Sequence, residues 1–180
     1  MPQTPEEIAL ERIRQAAESG AETLDLKRLG LKSLPDELWE LTHIKELDLQ
    51  DNQISELPKN IEKLVNLTKL DIDRNRIPIL PRELWNLSKL NKLYISGNLL
   101  ENIPAELWEN NRWVELGIGE FKLTYVPEKL WQLNRLDRLE FYGNQLASLP
   151  REIGQLQNLT QLDLSSNQLA SLPREIVQLQ

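Results

Sequence analysis

A stack of near-identical repeats behind an N-terminal helix is the fold this sequence predicts, and three observations predict it. Prolines recur at Pro35, Pro58, Pro81, Pro104, Pro127, Pro150 and Pro173, each 23 residues from the next. An aliphatic residue precedes every one: Leu34, Leu57, Leu80, Ile103, Val126, Leu149 and Leu172. The other apolar positions keep the same phase, so that the stretch Leu159 to Pro173, LTQLDLSSNQLASLP, has an approximate copy in each preceding block. A fixed period of this length marks a solenoid, in which each unit buries its apolar side against its neighbours.

The chain starts with a helix. Thr4 caps its start, Pro5 suits the first helical position, and Glu7 completes a capping box while Glu6 adds acid where the helix dipole favours it. Ile8, Ile13, Ala16 and Ala17, with Leu10 at the flank, make an apolar stripe, and Gly20 is a left-handed terminator. Residues 1–20 are therefore expected to lie across the bare apolar end of the first repeat.

From Ala21 onward the repeats run without insertion, beginning at Ala21, Ile44, Leu67, Leu90, Trp113, Leu136 and Leu159. Position four of each is leucine: Leu24, Leu47, Leu70, Leu93, Leu116, Leu139 and Leu162. Position six is Leu26, Leu49, Ile72, Ile95, Ile118, Phe141 and Leu164, and two such positions point the same way on a strand. Positions eleven, fourteen and eighteen are aliphatic as well. Position nine is Asn52, Asn75, Asn98, Asn144 and Asn167 in five repeats, where a buried amide can satisfy backbone groups of successive turns.

The resulting pattern, LxxLxLxxNxLxxLPxxIxxL, resembles the leucine-rich repeat family, in particular its short bacterial class with 23-residue units. The resemblance covers residues 21–180 and implies an α/β fold: a right-handed, horseshoe-like solenoid with a concave parallel β-sheet and short helical or irregular segments behind it. The opening EEIALERIRQAAESGAETLDLKRLGLKSLP is similar to the start of cyanobacterial-type leucine-rich-repeat proteins, including Roco proteins whose repeats precede a GTPase domain. No GxxxxGK[ST] phosphate loop occurs in this chain.

Binding is expected on the outward strand positions, two, three, five, seven and eight of each repeat. Asp25, Asp48 and Asp71 stand side by side at position five, flanked by Lys27, Arg28, Lys69 and Arg74. They make either a cation site or cradle for a basic partner, or, as we favour, a merely solvated row. Further along, position five becomes Tyr94, Gly117 and Glu140, and position seven becomes Ser96, Gly119 and Tyr142. Two tyrosines thus flank a strand without outward side chains, which predicts a shallow dip bordered by Lys92, Glu115 and Arg138. Tyr94, Gly117, Gly119, Tyr142, Lys92, Glu115, Arg138 and Glu140 are the candidate partner-binding residues. The competing reading is that both tyrosines shield a sheet weakened by glycine.

Repeat five departs from the pattern. Phe121 replaces the asparagine, Trp113 the first leucine, and Asn110 stands where Leu41, Leu64 and Leu87 stand earlier. The loop from Glu109 to Arg112 is expected to swing out, with a local kink and Trp113 filling the volume. Trp39, Trp85, Trp108 and Trp131 share position nineteen, either as a second interface or, as we favour, covering seams between repeats. Leu162, Leu164, Leu169 and Ile176 have no following repeat in this sequence, which predicts either a longer protein or self-association through that end.

Catalytic parts are scarce. His43 is the sole histidine, expected in a solvated turn, and cysteine is absent, so zinc ligation and a nucleophile paired with histidine lack their components. No cofactor or metal is expected. Net charge is −7, which argues against nucleic acid or anionic lipid as partner. The lack of cysteine and of a long apolar run predicts a cytoplasmic protein. The composition and repeats together point to a non-enzymatic module that binds a protein or peptide on its strand face. The family resemblance implies a GTPase or signalling domain as partner class, or as a catalytic domain that the repeats would regulate.

Overall fold

The structure, a computed structural model, describes residues 2–179. It contains two compact units, Met1–Leu90 with Gly97–Asn102, and Asn91–Ser96 with Ile103–Gln180. The first holds helix α1 (Pro5–Ser19) and strands β1 (Thr23–Asp25), β2 (Glu46–Asp48) and β3 (Lys69–Asp71). The second holds β4 (Lys92–Tyr94), α2 (Glu106–Glu109), β5 (Glu115–Gly117), β6 (Arg138–Glu140) and β7 (Gln161–Asp163). Within the first unit β1, β2 and β3 pair in parallel, and within the second β4, β5, β6 and β7 do. Register equals the sequence period: Leu24 pairs with Leu47 and Leu47 with Leu70, and likewise Leu93, Leu116, Leu139 and Leu162. All of these leucines are buried except Leu162, which is half-buried.

The helix is capped as its sequence demands. Thr4 Oγ1 accepts from Glu7 N, the Glu7 carboxylate accepts from Thr4 N, and Gly20 closes the helix in the left-handed conformation. Ala9, Ile13 and Ala16 are the buried stripe, at the i, i+4, i+7 spacing of one helical face. Ala17, expected in that stripe, is exposed, because it lies about 100° further round the helix from Ala16. Arg12 donates to the Asp25 carbonyl at 2.8 Å and so ties the helix to β1.

After each strand the chain turns in one way. Position eight is left-handed in every repeat: Arg28, Asp51, Arg74, Gly97, Glu120, Gly143 and Ser166 have φ between 52° and 67°. Only two of the seven are glycine. The turn delivers the following asparagine to the interior. Asn52 Oδ1 accepts from Leu29, Gly30 and Leu31 N, and its Nδ2 donates to the carbonyls of Leu26 and Leu49. Asn75 and Asn144 repeat this amide ladder in their own units.

In six repeats the proline then opens a five-residue 3-10 turn, for example Asp36–Glu40, Lys59–Lys63 and Glu128–Gln132. The position-21 leucine closes it by donating its N–H to the position-18 carbonyl, at 2.9 to 3.3 Å. Repeat four lacks that leucine. There the segment is α2, Asn110 is extended and half-buried, and the Leu107 carbonyl accepts instead from the Trp113 indole N–H at 2.8 Å. Trp113 is fully buried, and the Arg112 guanidinium lies 4.9 Å from the centre of its ring. Burial lowers the Arg112 pKa. The departure expected between Glu109 and Arg112 is thus a change of turn type, closed by a side chain from the next repeat.

Trp39, Trp108 and Trp131 are buried and Trp85 is half-buried, so the tryptophans fill the interior behind the turns. His43, expected in a solvated turn, is half-buried and its Nε2 is enclosed without a hydrogen-bond partner among the described residues. At the far end Leu164, Leu169 and Ile176 are half-buried, and Leu172 and Val177 are exposed. No helix among the described residues is long and apolar enough to cross a membrane.

Candidate functional site

The aspartates at position five have a local task. Asp25, Asp48, Asp71 and Asp163 each accept, through Oδ1, the N–H two residues on, at 2.9 to 3.1 Å. Such Asx turns satisfy a donor just past the strand that no ladder bond reaches. In the first unit Asp25 and Asp48 are further matched by Lys27, whose Nζ lies 3.5 Å from the one and 3.3 Å from the other, and Arg28 and Arg74 approach the nearby Asp51 of position eight. The row is a structural and ion-paired surface. The described residues contain no cluster of three or more potential metal-ligating side chains.

Strands β4, β5 and β6 abandon the aspartate, and another group takes over its work. Gly119 N donates to Ser96 Oγ at 2.8 Å, from one repeat back. Ser96 is fully buried. This serves in repeat five the N–H that an aspartate at Gly117 would have satisfied, and Tyr94, Gly117 and Glu140 register side by side at position five with Asp163 next in line.

The dip expected over the glycines is filled. A Cβ at Gly117 would sit 2.5 Å from Tyr94 Cδ1, and one at Gly119 would sit 2.7 to 2.9 Å from the ring of Tyr142. Tyr94 is therefore 7% exposed rather than outward and free, Gly117 and Gly119 are buried, and Tyr142 is half-buried. Each ring lies down because the neighbouring glycine has no side chain to hold it upright. Shielding of the glycine strand, one of the two readings of the sequence, describes their packing. The Tyr94 hydroxyl donates to Glu115 Oε2. Burial, and then that carboxylate, push the phenol well above its ordinary pKa, so it remains a donor. Gly117→Ala is expected to expel the Tyr94 ring and lower stability by roughly 1 to 3 kcal/mol, measurable by urea unfolding. An unchanged midpoint would mean that the ring is not held by this contact.

Around the tyrosines the charges are layered. Lys92 Nζ binds Glu115 Oε1 at 2.6 Å, and the Arg138 guanidinium binds Glu140 Oε1 at 2.7 Å. Side-chain exposure is 36% for Lys92 against 18% for Glu115, and 42% for Arg138 against 14% for Glu140. The carboxylates lie beneath and the cations on top. Hydrogen bonding to Glu140 is the main cause that raises the Arg138 pKa. Beside them Arg138, Glu140, Gln161 and Asp163 border a shallow depression of about 280 Å³ on β6 and β7.

All eight candidate residues of the sequence reading fall in the second unit, on β4 to β6 and the turns that follow them. The sequence reading missed the substitution of Ser96 for aspartate; the signal was the loss of Asp at position five coinciding with a small hydroxyl at position seven. It also passed over Tyr125, which is 73% exposed and the sole aromatic at position thirteen of any repeat.

Comparison with known proteins agrees with this geometry. Residues 22–110 match the model of a leucine-rich repeat region, and residues 158–179 match that of a single leucine-rich repeat. Among curated proteins no sequence matches. A leucine-rich repeat protein of Leptospira interrogans is 34% identical with a TM-score of 0.75, over 98% of this chain and 44% of that one. The leucine-rich repeat domain of a Shigella effector is 26% identical, TM-score 0.70, over 98% of this chain and 72% of the other. The ectodomain of the Arabidopsis thaliana receptor kinase GASSHO1/SCHENGEN3, in complex with CASPARIAN STRIP INTEGRITY FACTOR 2, is 30% identical with a TM-score of 0.65. That match covers 82% of this chain and 18% of the ectodomain. This chain therefore spans less than half of the Leptospira protein and less than a fifth of the plant ectodomain.

Proposed function

This chain belongs to the leucine-rich repeat proteins and has their solenoid fold, and from that footing we propose that it is a non-catalytic module that binds a protein or peptide on the outward face of β4 to β7. The observation that carries the reading is the layering of charge there. Lys92 and Arg138 stand above the less exposed Glu115 and Glu140, so over β4 to β6 the outermost charges are donors, while Asp163 on β7 is an exposed acid. Such a face suits a segment of mixed charge, with a carboxylate over Lys92 and Arg138 and a cation over Asp163, and Tyr142 supplies a half-buried aromatic next to it. The complex formed by the plant ectodomain, itself a leucine-rich repeat structure, supports protein recognition as the class of activity. The resemblance to repeats that precede a GTPase domain makes a GTPase or signalling domain the first partner to try.

Because Tyr94 is packed rather than free, the test uses the exposed cations. Wild-type chain and the double variant Lys92→Gln, Arg138→Gln are compared as baits in the same cell extract, and a captured protein is then titrated against both by calorimetry. The variant is expected to bind at least about tenfold more weakly, the size of effect that follows from losing two charge-assisted contacts. Its thermal midpoint should stay within a few degrees, as exposed ion pairs contribute little to stability. Equal affinity of the two baits would remove this face from the interaction.

A further inference from the structure

A groove lies on the side of the second unit formed by its 3-10 turns, away from the strand face. Repeat five supplies Tyr125, Val126, Glu128 and Trp131, and repeat six supplies Ser148 and Glu152 among the residues that line its volume of about 490 Å³. Val126 is the one valine at position fourteen, where six other repeats carry leucine or isoleucine, so the wall is one methylene thinner there. Trp131, 2% exposed, packs at the base, and Tyr125 projects at 73% exposure. The equivalents of Tyr125 are Ser33, Glu56, Ile79, Asn102, Ser148 and Ser171, none of which offers a ring.

The charge of the lining chooses the ligand. It includes Glu128 and Glu152 and no lysine or arginine. Glu152 shares its carboxylate with the largely exposed Arg151 at 3.3 Å, whereas the nearby Lys129 is turned to Glu109. Glu128 is exposed and has no ion-pair partner among the described residues. An exposed aromatic face beside an unmatched carboxylate is the arrangement that holds a guanidinium: its plane stacks on the ring while its N–H groups reach the acid. A volume of this size is that of sites which enclose a small group.

We propose that this groove is a second binding site, which takes an arginine side chain from an extended segment of a protein partner. Tyr125 stacks on the guanidinium and Glu128 pairs with it, while the apolar stem runs over Val126 and Trp131. The site is independent of the face of β4 to β7 and uses none of its residues.

The experiment is a nuclear magnetic resonance titration of the full chain, isotope-labelled, with N-acetyl-arginine amide and with its neutral isostere N-acetyl-citrulline amide. The arginine probe is expected to give saturable shifts confined to residues 124–132 and 148–155. Its dissociation constant should rise about two- to fivefold in Tyr125→Ala and in Glu128→Gln, the scale of one exposed cation–π contact or ion pair. The citrulline probe should bind comparably more weakly than arginine. Neither side chain is needed for folding, since both are exposed. No localised shifts at tens of millimolar probe, equal binding of the two probes, or an unchanged constant in both variants would each overturn the assignment. Lys92→Gln, Arg138→Gln should leave the titration unaltered, which separates this site from the strand face.

Discussion

Asn52→Leu is expected to destabilise the protein by about 4 to 6 kcal/mol, although leucine has the same number and branching of side-chain heavy atoms as asparagine. The amide accepts from three backbone N–H groups at 2.9 to 3.1 Å and donates to two carbonyls at 2.9 Å. Leucine leaves four of the five without a partner, since the Leu49 carbonyl still accepts from Asn75 Nδ2 at 3.0 Å. Leu26, Leu31 and Leu49 around them are fully buried, so water cannot replace the amide at its inner end. Each orphaned group costs about 1 to 3 kcal/mol, and the sum is reduced by local relaxation. Asn52→Asp keeps the acceptor and loses the donor, and its loss should be intermediate. Asn167 provides the contrast, because it is half-buried, accepts from the single backbone N–H of Leu146, and shares the Phe141 carbonyl with Asn144. Asn167→Leu should cost less than half as much. Urea unfolding of the three variants measures the series, and a loss below about 2 kcal/mol for Asn52→Leu would show that the ladder is dispensable.

Trp113→Ala should cost about 3 to 5 kcal/mol, and Trp113→Phe about 1 to 3 kcal/mol. The first removes one of the two tryptophans of repeat five from a fully buried site. The second keeps most of the volume but strips the Leu107 carbonyl of the donor that the indole supplies. In the other repeats that carbonyl is served by backbone, so Trp131→Phe is the control: a ring change without a closing hydrogen bond to lose. If Trp113→Phe and Trp131→Phe unfold at the same denaturant concentration shift, the side-chain closure of α2 contributes nothing beyond packing. A larger loss for Trp113→Phe supports it.

The aspartates of position five show where a sequence reading stops. Their recurrence was plain, and a solvated row was the favoured meaning, but their use as acceptors for the N–H two residues on is a matter of backbone direction. The tyrosines show the same limit from the other side. Register placed Tyr94 beside Gly117 and Tyr142 beside Gly119 correctly, since residues 23 apart must be neighbours in this stack. Whether the rings stood up or lay down depended on the space left by a missing Cβ, which is a packing outcome. Tyr125 was visible as an oddity of one position, yet its groove needed Val126, Trp131 and the next turn to be brought around it.

The sequence by itself determined the repeat, its strand register, the buried leucine rows, the asparagine ladder and the capped first helix. These follow from periodic apolar placement and local hydrogen-bond chemistry, which act within one repeat or between identical ones. Only the tertiary structure decided the left-handed turn at position eight, mostly at residues that do not favour it. It also decided the closure of α2 by Trp113, the collapse of two tyrosines onto glycines, and the placing of cations above carboxylates on β4 to β6. Each of these depends on what the neighbouring repeat happens to present, and contacts between unlike side chains of adjacent repeats carry no period to be read.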